Sequence, residues 1–109
     1  MSAIEIPDEL LAEARSYLDI TWEDEGTDAK LRGQLRRGIA YIADKTGVEK
    51  SASAFQGDSG DDRAQALLFN YLLYDRSGAI HDFEENYRSD LIGLRLKKEV
   101  ERYASDAES

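Results

Sequence analysis

The chain has 109 residues, no cysteine and a formal net charge of −9. That length suits one domain with a single modest core, and the missing cysteine excludes disulfides and thiolate metal sites. An excess of 23 acidic over 14 basic residues argues against a duplex-DNA binder unless the bases gather on one face.

One proline, few β-branched residues and many Leu, Ala, Glu, Lys and Arg favour helices over strands. No stretch approaches the roughly 18 apolar residues of a membrane span, and the acidic N-terminus lacks a signal peptide's basic and apolar regions. The expected fold is an all-α, single-domain bundle of about four helices, with a long loop between helices two and three. Helix one is expected over about 7–19. It begins at Pro7, with Asp8 and Glu9 in the first turn, and Leu10, Leu11, Ala14, Tyr17 and Leu18 recur at helical spacing. The acidic connection ITWEDEGTD (20–28) follows, where Thr21 with Asp24 suits a capping box and Thr27 an N-cap. Helix two is expected over 28–46, with Leu31, Leu35, Ile39 and Ile42 on one face and Gly47 as its stop. VEKSASAFQGDSG (48–60) has no sustained periodicity and reads as a loop.

Asp61 or Asp62 can cap helix three, expected over 61–76, whose run Leu67, Leu68, Phe69, Tyr71, Leu72, Leu73, Tyr74 leaves almost no polar side and predicts a central position. Ser77-Gly78 ends it, and Asp82 with Glu85 can open helix four over 82–103. That helix carries two apolar stripes. Phe83, Tyr87, Leu91 and Leu94 align on one side, and Ile92, Leu96, Val100 and Tyr103 on roughly the opposite side. Either the helix bends at Gly93 and returns the second stripe to the core, or it stays straight and offers that stripe to a neighbour.

Side chains capable of chemistry are sparse. His81 is the sole histidine, with no second His, no Cys and no HExxH spacing, and reads as a loop residue at a helix start. The acids Asp19, Glu23, Asp24, Glu25 and Asp28 do not fit an EF-hand, because Gly26 falls in the wrong register. Gly57 and Gly60 lack a P-loop's lysine and sit among Asp58, Asp61 and Asp62, which repel phosphate. The bases of helices two and four are expected to pair with acids on neighbouring helices or subunits. Trp22 either pins its loop to the bundle or anchors an interface.

YLDITWEDEGTDAKLRGQLRRGIAYIADKTG (17–47) and AQALLFNYLLYDRSGAIHDFEENYRSDLIGLRLKKEV (64–100) together resemble the two halves of the tailed-phage head–tail connector family, also called adaptor or head-completion proteins. The resemblance implies a helical structural virion protein with no enzymatic activity and no cofactor or metal. Such a protein is monomeric when free and assembles as a ring, typically of twelve copies, beneath the portal protein. The ring extends the DNA channel without specific DNA binding and joins the head to a stopper or tail protein, so the expected location is the virion, after assembly in the host cytoplasm. In such a ring the straight-helix alternative makes Ile92, Leu96, Val100 and Tyr103, with Trp22, the candidate subunit or portal interface. Asp58, Asp61 and Asp62 become a candidate channel-facing acidic loop, since negative walls let DNA slide. The competing expectation is a small acidic helical binding module, such as a regulator or a DNA mimic that antagonises a DNA-binding protein.

Overall fold

The computed structural model describes residues 4–21, 24–56 and 61–108, with side chains described as far as 104. Those residues form α1 (Asp8–Tyr17), α2 (Glu25–Thr46), a 3-10 turn (Ala52–Phe55), α3 (Asp62–Arg76), α4 (Ile80–Asn86) and α5 (Arg88–Glu108), with no strand among them.

Local capping chemistry sets most of the boundaries. Asp19 takes the left-handed conformation after α1, at φ 58°. Its N–H donates to Ser16, and the Ile20 N–H donates to the Arg15 carbonyl at 2.9 Å. This is a Schellman closure, and it folds Ile20 into the core. Asp24, not Thr27, caps α2: its carboxylate accepts from the Thr27 N–H at 2.9 Å and from the Thr27 hydroxyl at 3.0 Å. The helix therefore starts at Glu25, three residues earlier than the sequence suggested. Gly47 ends α2 at φ 81°, and Gly78 ends α3 in a second Schellman closure, at φ 70°.

α2 and α3 form the centre. Gly38 lets them approach closely, because a Cβ there would stand 2.6 Å from Leu68 Cδ1 and 2.9 Å from Tyr71 Cδ1. Leu31, Leu35, Ile39 and Ile42 of α2 meet Leu67, Leu68 and Leu72 of α3 in one core that also takes Leu10, Leu11 and Ala14 of α1. The 48–60 segment is not all free loop. Val48, Ala52 and Phe55 are buried, so the 3-10 turn lies against the bundle. α3 is less enclosed than its composition suggested, since Leu73 remains 40% exposed.

The expected fourth helix is two helices, and the interruption lies at Tyr87 instead of Gly93. Tyr87 leaves helical geometry at φ −113°, ψ 14°. Its ring stacks on Phe83 at 4.9 Å and its hydroxyl donates to Asn70 Oδ1 at 3.1 Å. Fully buried Phe83 also meets the rings of Tyr41, Tyr71 and Tyr74. This tertiary aromatic cluster fixes where the chain breaks.

Candidate functional site

α5 begins beside that cluster and runs without interruption through Gly93 to Glu108. It is anchored on one side only. Leu91 and Leu94 are buried, and Lys97 reaches the carboxylate of Asp61 at 2.9 Å. Further along, the Arg102 guanidinium lies near Gly47, at the C-terminus of α2, where the helix dipole favours a cation.

The opposite side of α5 is exposed among the described residues. Ile92 is 52% exposed, Leu96 55%, Val100 67% and Tyr103 79%. Four large apolar side chains thus form a continuous strip about 16 Å long, from the helical rise over eleven residues. α5 is unbroken at Gly93, and the second stripe is exposed instead of returning to the core. Solitary exposed apolar residues are ordinary on a protein surface, whereas four on one helical face form a patch that calls for an explanation.

The acidic candidates are placed differently from one another. Asp61 is the N-cap of α3 and accepts from the Arg63 N–H at 2.8 Å. Its side chain is largely buried against Lys97 and Lys98. Burial pushes the Asp61 carboxyl up, but the Lys97 hydrogen bond and charge and the backbone N–H groups outweigh it and hold it below its ordinary value. Asp61 therefore carries a structural load as cap and ion-pair partner. Asp62 follows in the first turn of α3 and is exposed. Asp58 and Trp22 lie outside the described residues.

Asp61 and Asp62 border an open bowl of about 740 Å³ between the end of α2, the 3-10 turn and α5, lined also by Glu49, Arg63, Lys97 and Lys98. Charges of both signs alternate around it, so it presents no coherent electrostatic preference. Four of the remaining bases are spread over separate pairs with acids. Arg32 meets Asp8 at 2.9 Å, Arg37 meets Asp75 at 3.1 Å, Lys45 meets Glu84 at 3.4 Å and Lys50 meets Asp44 at 2.8 Å. Those four do not gather on one phosphate-binding face. His81 is exposed in the first turn of α4, and among the described residues no group of three or more His, Cys, Asp or Glu could hold a metal ion. No described helix is long and apolar enough to cross a membrane.

Two further exposed apolar residues were not legible in the sequence. Tyr17 of α1 is 43% exposed, packs its ring on Phe69 at 5.2 Å and donates its hydroxyl to Asn70 Oδ1. Leu73 lies one turn beyond Phe69 on α3. Both residues belong to runs that read as core, so only the arrangement of α1 on α3 reveals that they reach the surface. Comparisons with protein-family models, curated proteins and solved structures found no match.

Proposed function

We propose that this chain is a ring subunit of a tailed-phage head–tail junction. It would sit beneath the portal, extend the DNA channel and provide the seat for a stopper or tail protein. The observation that carries this reading is the uncovered strip on α5, an apolar face that the chain's own core does not use. A subunit of a closed ring needs such a face, because a heterologous interface sets one surface of each copy against a different surface of the next. The resemblance of residues 17–47 and 64–100 to connector proteins supplies the context, and both segments lie in the packed helical body. The net charge of −9 suits a wall along which DNA slides without binding.

Electron microscopy of the purified chain mixed with the portal rings of its phage tests the proposal. The expected result is a second ring stacked coaxially on the portal. The absence of that ring, combined with strongly salt-dependent binding to a basic protein, would replace the reading with the acidic binding module.

A further inference from the structure

Among the described residues, nothing packs closely enough on Gly93 to require a glycine. It lies inside α5, and a Cβ there would meet nothing within 4 Å. Glycine is among the poorest helix formers, and one use of it inside a helix is a close approach of another backbone or side chain. Gly38 shows that use in this chain, where Leu68 and Tyr71 of α3 occupy the space a side chain would need. Gly93 offers the same opening with no neighbour in it. Positions 93, 96, 100 and 103 follow one another at three, four and three residues, the spacing of a helix–helix seam.

We propose that a second copy of this chain covers the strip, α5 against α5, antiparallel about a two-fold axis between Leu96 and Val100. Each Tyr103 ring then lies over the Gly93 of the partner subunit. The register follows from the spacing. Gly93 is as far before Leu96 as Tyr103 is beyond Val100, so setting Leu96 against Val100 also sets Gly93 against Tyr103. A parallel pair would put glycine on glycine and tyrosine on tyrosine, with a void at one end and crowding at the other, whereas facing positions pack best when large meets small.

Charge and area agree with the antiparallel pair. Arg95 and Glu99 are 3.3 Å apart within one copy, and the two-fold brings them beside the Glu99 and Arg95 of the partner subunit as a neutral quartet. Lys97, on the other flank, is already matched by Asp61. At ~200 Å² for a fully exposed large side chain, the exposed fractions of the four strip residues leave roughly 500 Å² per copy. Complete cover of the strip on two copies buries about 1,000 Å², the lower bound of a specific interface.

This inference stands on α5 alone and not on the ring reading. It departs from the monomeric free state that the family resemblance implies.

Sedimentation velocity with Gly93→Ala tests it. Alanine should raise the melting temperature of dilute, monomeric protein, because it improves the helix and touches nothing. It should also weaken dimerisation about tenfold or more by pushing the tyrosine off the seam. These effects have opposite signs, which a purely intrachain role for Gly93 cannot produce. The natural absence of cysteine allows a second arm: Leu96→Cys mixed with Val100→Cys should form the mixed disulfide faster than either same-residue disulfide. A wild-type chain that stays monomeric at hundreds of micromolar, unchanged dimerisation in Gly93→Ala, or faster same-residue disulfides would each overturn the proposal. None of those results bears on whether rings form on a portal, so the two readings fail separately.

Discussion

Gly38→Ala sets two effects of known size against each other at the α2–α3 contact. Replacing a helical glycine by alanine favours the helix by about 1 kcal/mol. The new methyl, however, would stand 2.6 Å from Leu68 Cδ1 and 2.9 Å from Tyr71 Cδ1. Leu68 is fully buried and Tyr71 nearly so, so neither can retreat into solvent. Overpacking of this kind costs about 1–3 kcal/mol, with the upper part of the range expected where both neighbours are confined. The net loss should be about 1–2 kcal/mol, a fall of roughly 4–8 °C in melting temperature for a domain of this size. Gly33→Ala is the internal reference. Its methyl would meet only the Arg37 guanidinium at 3.7 Å, so the helix-propensity gain of about 0.5–1 kcal/mol should appear undiminished. Thermal and urea unfolding followed by circular dichroism read both variants. If Gly38→Ala stabilises the protein as much as Gly33→Ala does, the close α2–α3 approach is wrong.

Two further predictions concern single residues. Asp19 holds a left-handed conformation at φ 58°, which favours glycine, so Asp19→Gly should stabilise the fold by about 0.5–1 kcal/mol in urea unfolding; a loss would show that the aspartate carboxylate matters more than the backbone. Asp61→Ala removes both the α3 cap and the Lys97 ion pair and should cost about 1.5–2 kcal/mol, whereas Asp61→Asn keeps a good cap and should cost less than about 1 kcal/mol. The folded-state carboxyl of Asp61 lies below its ordinary value of 3.8. Its contribution is therefore fully present above that pH and lost as pH falls through the lower folded value. Asp24, lowered by the hydrogen bonds from Thr27, acts in the same direction. Melting temperatures measured from pH 7 down to about 2 should fall in the acid limb, and less steeply in Asp61→Asn than in the wild type.

What could be read from the chain before folding was mostly local. Gly47 and Ser77-Gly78 stop their helices because a left-handed residue after a helix is a property of a few residues, and the Leu31, Leu35, Ile39, Ile42 face is a matter of period. The break at Tyr87 was not readable in this way. It depends on Phe83 and Asn70 holding the tyrosine at both ends, and Asn70 lies seventeen residues away. Gly93 looked like the weak point because propensity is visible in a sequence while a tertiary anchor is not. The same distance hid the ion pair of Asp61, whose cap was legible but whose partner Lys97 is thirty-six residues on. Leu73 and Tyr17 looked like core because α1, only ten residues long, covers less of α3 than an apolar run of that length invites. The α5 strip was legible because two opposed stripes on one helix cannot both face one small core.

The central claim is that this strip is an assembly surface and not misplaced core, and the double variant Leu96→Asp with Val100→Asp tests it most directly. The measurement is the count of portal-bound rings in electron micrographs, on protein whose melting curve has been recorded alongside. The variant should unfold close to the wild type, because both positions are more than half exposed, and should form no rings. Rings at wild-type abundance would contradict the claim, and so would a variant that no longer folds.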